Sequence, residues 1–295
     1  MDAAVIGCGY LGFELARELV QRGHRVWGIR RQFDDTSAIR SAGIQPLEAD
    51  ITRPETLKHL PRSVEWVINA VSSMKGDSEV YQQVYLQGTR HLIRHLSPSP
   101  TLKRYLHVSS TSVYGQTDGS WITEAAERCP TTATSRVLVE TEDELFRAHH
   151  DQQFPASVVR ASGIYGPGRG YLFQQYLKNQ ARLIGDGSRL INMIHVTDLV
   201  GAMIALLEHG QSGMAYNVTD SEPVTQLEFF TFLSQQLHKP LPPAASAGEL
   251  KQRKRALTNK RVSNRRLIEE IGYQFNYPSF RQGYAAEIEA LPSPL

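Results

Sequence analysis

Ala3-Ala4-Val5-Ile6-Gly7-Cys8-Gly9-Tyr10-Leu11-Gly12 stands at the head of the chain. Its first four residues are a short apolar run, and its last six spell G-x-G-x-x-G. Leu11, Leu15 and Leu19 then recur every four residues, the spacing of one face of a helix. The expected order is a buried strand, a glycine turn and an amphipathic helix. In such a turn the first glycine permits the tight backbone. The second lets a ligand approach the main chain, and the third lets the helix lie close on the strand. The helix start offers free N–H groups and partial positive charge, which suits phosphate. A plain glycine turn is the alternative, and the position at the start of a strand–helix series weighs against it.

Working outward, short apolar runs alternate with amphipathic stretches. Arg25–Ile29, Gln45–Asp50, Trp66–Val71, Arg104–Ser109 and Ala156–Arg160 read as further strands, with Pro46 marking an edge or an irregular start. A helix is expected over about 81–96. Strands alternating with helices imply βαβ units and a parallel sheet. The expectation is therefore an α/β, Rossmann-type doubly wound parallel sheet that binds a dinucleotide, with a smaller C-terminal substrate domain. The expected boundaries are 1–165 for the dinucleotide-binding part, with 191–218 returning to it, and 166–190 plus 219–295 for the smaller domain. Gly166-Pro167-Gly168-Arg169-Gly170 is the turn-rich break between them.

The end of the second strand selects the cofactor. An acidic residue there would hold the ribose 2′-hydroxyl of NAD, but Arg30-Arg31 stand there instead. A guanidinium fork matches phosphate oxygens, so NADP is favoured, with NAD as second choice. A solvated basic loop is the competing reading, since Asp34-Asp35 follow closely. Asp50 and Ile51, after the third strand, are expected beside the adenine. Ala70, Val71 and Ser72, after the fourth, are expected on the path toward the nicotinamide.

Several segments together resemble the NAD-dependent epimerase/dehydratase family, the extended and atypical short-chain dehydrogenase/reductases. His107-Val108-Ser109-Ser110-Thr111-Ser112-Val113-Tyr114-Gly115 is similar to the family's fifth-strand motif. Arg160-Ala161-Ser162-Gly163-Ile164-Tyr165-Gly166-Pro167 is similar to its Arg-Pro-x-x-x-Tyr-Gly-Pro segment, with Ala161 in place of proline. Ile194-His195-Val196-Thr197-Asp198 resembles its His-Val-Asp-Asp segment, and Tyr216-Asn217-Val218 the strand that returns after it. The resemblance implies hydride transfer between a nicotinamide cofactor and a nucleotide sugar or another small carbonyl or hydroxyl compound. It implies cofactor contacts from Ala161 and Ser162, and substrate contacts from Tyr165, Arg182, Asn192 and His195.

The family's proton chemistry uses a serine or threonine with a Tyr-x-x-x-Lys pair, in which the lysine charge lowers the tyrosine pKa. Ser110 takes the serine position. Aligning Glu140 with the family's helix glutamate puts Thr132 at the tyrosine and Arg136 at the lysine. A threonine hydroxyl ionises far less readily than a tyrosine near 10, so Thr132 is a poor base. Arg136 can hold ribose or phosphate, but it does not exchange protons. Three readings follow. The protein is an active reductase or epimerase with another acid, for which Tyr114, Tyr165 and more distantly His195 are candidates; each also reads as a packed, satisfied side chain. Or it binds NADP(H) without turnover, as a sensor or a partner-holding protein. Or its chemistry needs only the cofactor hydride and weak polarisation by Ser110.

The remaining features narrow the class. The 295 residues carry a net charge of +2, too little to suggest nucleic acid as a partner. The two cysteines form no Cys-x-x-Cys pair, so neither a disulfide framework nor a metal site is expected. No apolar run approaches the ~20 residues of a membrane helix, and no signal peptide is evident, so a cytoplasmic location is expected. Cys8 could be alkylated where bound cofactor does not protect it. Lys251, Arg253, Lys254, Arg255, Lys260, Arg261, Arg265 and Arg266 read either as a solvated face or as a site for an anionic small-molecule substrate. Glu140, Glu142, Asp143 and Glu144 read as a solvated acidic stretch. By family analogy, helices 81–96 and 136–150 would pair two copies into a homodimer.

Overall fold

The computed structural model describes residues 1–61, 63–73, 77–97, 99–251 and 258–291. Its central sheet has seven strands, in the order Ala215–Val218, Ala156–Ala161, Arg104–Ser110, Trp66–Asn69, Asp2–Ile6, Arg25–Arg30 and Gln45–Glu48. Neighbouring strands run parallel, with Ala4 paired to Trp27 on one side and to Val67 on the other. The opening apolar run lies inside the sheet because Ala3, Ala4, Val5 and Ile6 are buried on both faces, as parallel strands require. Pro46, which has no N–H to donate, falls on the edge strand. Strand order reverses at Asp2–Ile6, between Arg25–Arg30 and Trp66–Asn69. Ligands of open α/β sheets bind outside the carboxyl ends of the strands at such a reversal.

The helix Tyr10–Gln21 buries Gly12, Leu15, Ala16 and Leu19. The helix expected over 81–96 spans Ser78 to Leu96, with a π-helical segment at Gln82–Gln87. No helix among the described residues is long and apolar enough to cross a membrane.

The chain divides into two compact units. The first comprises 1–113, 133–160 and 200–216, and its core includes Ala4, Ile29, Val67, Leu92, Tyr105 and Leu145. The second comprises 114–132, 161–199 and 217–295. Its core is aromatic, built on Tyr165, Phe173, Tyr176, Phe229, Phe230, Phe280 and Tyr284. This division moves 114–132, 161–165, 191–199 and 217–218 out of the first part, where the sequence reading placed them. In the second unit, Gly163–Tyr165 pairs with Met193–His195, and Trp121–Ile122 pairs with Arg261–Val262.

Candidate functional site

The glycine loop is shaped by contacts that only hydrogen side chains permit. Gly7 has φ +84°, and a Cβ there would lie 2.6 Å from Val71 N and 2.7 Å from Ala70 O. The loop after the first strand thus touches the loop after the fourth, which brings Gly7, Ala70 and Val71 together. A Cβ on Gly12 would strike the Gly7 carbonyl, so the helix can approach only with glycine there. A Cβ on Gly9 meets only Gly7 O, at 3.9 Å, so protein atoms leave the loop's crest open. Gly9 is also the N-cap, with no side-chain cap and no acidic residue in the first turn. An uncapped helix start above an open glycine crest fits a pyrophosphate.

Arg30 ends the second strand. Its Nε donates to the Cys8 carbonyl, and its guanidinium lies 5.5 Å from the Phe33 ring centroid. The charge is therefore fixed beside the glycine loop, at the end of the second strand. Arg31 and Ser72 are exposed. Asp50 is half-buried, with Oδ1 accepting from Thr52 N at 2.9 Å and Thr52 Oγ1 at 2.7 Å. Ile51 departs from expectation. It is 5% exposed, packs against Gly88 and accepts the His91 ring at its carbonyl, so its side chain belongs to the core rather than to an adenine pocket. Cys8 is also buried, with sulfur against Gly28, and burial pushes its thiol up to about 11. Alkylation is therefore not expected; the residue contributes backbone to the loop.

Ser110 closes the fifth strand at the carboxyl edge of the sheet. Its Oγ is half-buried and accepts from Ser112 N at 3.1 Å, so its own proton remains to be donated. Arg136 lies in the first turn of helix Ala133–Gln152, exposed and without an ion-pair partner among the described residues. In the second unit, Thr132 directly precedes that helix.

The aromatic proton-donor candidates are packed. Tyr114 is fully buried, and its hydroxyl donates to Asn217 Oδ1 at 2.9 Å. Tyr165 is 1% exposed, stacks on Tyr284 with centroids 4.2 Å apart, and burial drives its hydroxyl far above the ordinary tyrosine range. Neither has the access of a proton donor at an open site. His195 is buried between Glu287, 3.2 Å from Nε2, and Thr197 N, which donates to Nδ1 at 3.2 Å. Asp198, in the same segment, accepts from Tyr273 Oη, Tyr277 N, and both Asn276 N and Nδ2, which ties the C-terminal segment down. Asn192 spends both ends of its amide on Lys260 O and Val262 N. Arg182 pairs with Glu249 at 2.9 Å. Asn192, His195 and Arg182 are thus each held by protein groups. Ala161 and Ser162 are buried at the end of their strand, where Ser162 N donates to Val218 O.

Sequence reading missed a buried ion pair. Glu142 is 0% exposed and is held by Arg160 through Nε and Nη2, with Ser109 Oγ donating at 2.6 Å. The acidic stretch is therefore not uniformly solvated: Glu144 pairs with Arg90 and Arg147, and Glu140 takes a hydrogen bond from Gln82. In the basic run, Arg253, Lys254 and Arg255 and the side chain of Lys251 lie outside the described residues. Arg265 and Arg266 pair with Glu269 and Glu270, Arg261 donates to Gly119 O, and Lys260 is buried.

The family model for the NAD dependent epimerase/dehydratase family matches residues 3–219. The chain belongs to that family. Among curated relatives, it is 28% identical to Protein YeeZ of Escherichia coli (strain K12) over 282 residues, covering 93% of this chain and 96% of that protein. Among solved structures, a functionally unknown conserved protein from Silicibacter pomeroyi aligns with TM-score 0.80 at 29% identity, covering 98% of each chain. The dTDP-glucose 4,6-dehydratase of Bacillus anthracis, solved in complex with NAD, aligns with TM-score 0.84 at 19% identity, covering 98% of this chain and 96% of that one. The last likeness shows the fold alone. Membership of the family supports NAD(P) binding and an epimerase/dehydratase-like oxidoreductase.

Proposed function

We propose that the protein is an NADP-dependent oxidoreductase that acts by hydride transfer on a small carbonyl or hydroxyl compound, with nucleotide sugars as the first class to try. The observation that carries this reading is Arg30, fixed between the Cys8 carbonyl and the Phe33 ring at the rim of the glycine loop. The backbone of Gly7 to Gly12 and the start of helix Tyr10–Gln21 would hold the pyrophosphate. Arg30 and Arg31 would hold the 2′-phosphate, and Arg136 the ribose on the nicotinamide side. When bound, the cofactor supplies or accepts the hydride.

Ser110 donates its free proton to the substrate oxygen and so stabilises the charge that develops there. Thr132 leaves the family's tyrosine role unfilled, and this favours substrates whose carbonyl needs little proton assistance. The same substitution supports a second reading, an NADP(H) sensor without turnover. We place the protein in the cytoplasm, and we expect no nucleic-acid partner. A homodimer would use the helices around 78–96 and 133–152.

The test is NADPH oxidation across a panel of nucleotide sugars and small carbonyl compounds. On any substrate that turns over, Ser110→Ala is expected to lower kcat by about 100- to 1,000-fold, the scale of one lost oxyanion donor, with NADPH affinity unchanged. An unchanged kcat would remove Ser110 from the mechanism. Absence of turnover across the panel would favour the sensor.

A further inference from the structure

Acidic side chains stand close to the two arginines that follow the second strand: Asp34 and Asp35 in the chain, and Glu48 across the ladder. The sheet register pairs Arg30 directly with Glu48, the last residue of edge strand Gln45–Glu48. Opposite charges on neighbouring strands favour pairing. Here they stay apart. Glu48 Oε1 accepts from Phe33 N at 2.9 Å, and Glu48 has no ion pair among the described residues. Asp35 spends both carboxylate oxygens on Ser37, one on its N–H and one on its hydroxyl. Neither Arg30 nor Arg31 has an ion-pair partner among the described residues.

Arg30 is held by other means. Its main chain is closed into the ladder by Ala49 N, which donates to Arg30 O at 2.9 Å. Its Nε donates to the Cys8 carbonyl. The half-buried Phe33 ring lies 5.5 Å from its guanidinium, within the range of a cation–π contact. Nη1 and Nη2 remain, with no protein acceptor among the described residues. A planar fork fixed at its root and free at its tip is suited to two phosphate oxygens.

The Phe33 ring can steady that fork only if Phe33 itself is steady. Residues 31–36 belong to neither strand nor helix, and such exposed loops are mobile unless tied down. Among the described residues, the bond from Phe33 N to Glu48 is what ties this loop to the edge strand. Glu48 thus has two opposed effects on an anion near Arg30. Its exposed charge repels the anion weakly, because solvent and salt screen it. Its hydrogen bond favours the anion, because it keeps the ring beside the guanidinium.

We propose that Glu48 is a positioning residue for cofactor selection: by holding the Phe33 main chain it keeps the ring against Arg30 and aims the Arg30 fork at the 2′-phosphate of NADP. The proposal rests on the reading of the protein as NADP-dependent, and it adds a determinant on the third strand that acts through Phe33.

Fluorescence titrations with NADPH and with NADH are made on wild type, Glu48→Ala and Glu48→Gln, and the readout is the ratio of the two affinities. A general loss of structure weakens both nucleotides and leaves that ratio in place. Glu48→Ala is expected to lower the NADPH preference by about two- to tenfold, the loss of one hydrogen bond, through weaker NADPH binding. Glu48→Gln keeps an oxygen for Phe33 N and sheds the charge, so its preference is expected to equal or exceed that of wild type. Phe33→Ala should lower the preference too, and adding Glu48→Ala to it should change the ratio no further. An unmoved ratio in Glu48→Ala, equal shifts in Glu48→Ala and Glu48→Gln, or additive losses with Phe33→Ala overturn the proposal and leave the NADP reading standing. A wild type without NADPH preference overturns both.

Discussion

Glu142→Ala is expected to cost about 3–5 kcal/mol of stability, the range for removing one partner of a buried ion pair. Glu142 and Arg160 have side chains 0% and 3% exposed, with Arg160 Nη2 2.7 Å from Glu142 Oε2. The variant would remove the carboxylate that Arg160 Nε and Nη2 hold inside the first unit, and Ser109 Oγ would lose that acceptor. The pair joins strand Ala156–Ala161 to helix Ala133–Gln152, the helix that carries Arg136. Misfolding there would displace Arg136, the proposed ribose contact, as well. Urea unfolding measures the loss. The double variant Glu142→Leu with Arg160→Met is the control: with both charges gone, it is expected to recover most of the stability. A single variant within 1 kcal/mol of wild type would contradict the assignment.

Arg30→Asp carries the second large effect. The guanidinium beside the glycine loop is expected to contribute a charge-assisted hydrogen bond to a 2′-phosphate, worth about 1.5–3 kcal/mol. Its loss predicts NADPH binding weaker by about 10- to 100-fold. NADH binding should hold or improve, because an aspartate at this strand end suits a free ribose hydroxyl. Arg30→Lys should fall between, since it keeps the charge but not the planar fork. Fluorescence titration gives the affinities. An unchanged NADPH/NADH ratio in Arg30→Asp would remove Arg30 from cofactor selection.

Much of this architecture is legible in the sequence, because sheet strands and the glycine turn are local features. Ala3–Ile6 is a buried strand because nothing polar interrupts it, and the roles of Gly7, Gly9 and Gly12 follow from their spacing. The site is legible only where backbone makes it. The direction of the Ile51 side chain was not legible, because its position after a strand does not tell which way it turns, and Gly88 opposite it gives it room in the core. Tyr114 and Tyr165 stand in loop-like motifs, yet both are buried, Tyr165 in the second unit's aromatic core, which no local pattern announces.

Glu142 had a signal that was not used. It lies on the same helical face as Leu138 and Leu145, so burial was predicted by spacing even within an acidic stretch. Arg160, inside the apolar strand Ser157-Val158-Val159-Arg160-Ala161, required a buried partner of opposite sign. Lys260 was hidden differently. It sits in a run of basic residues that reads as solvated, and only its burial and its bond to the distant Tyr114 carbonyl reveal that it points inward.

The most direct measurement on the central claim is a fluorescence titration of the purified wild-type protein with NADPH and, separately, NADH. The geometry of Arg30 at the glycine loop predicts saturable NADPH binding at least tenfold tighter than NADH. Equal affinities, tighter NADH, or no binding of either nucleotide would contradict it.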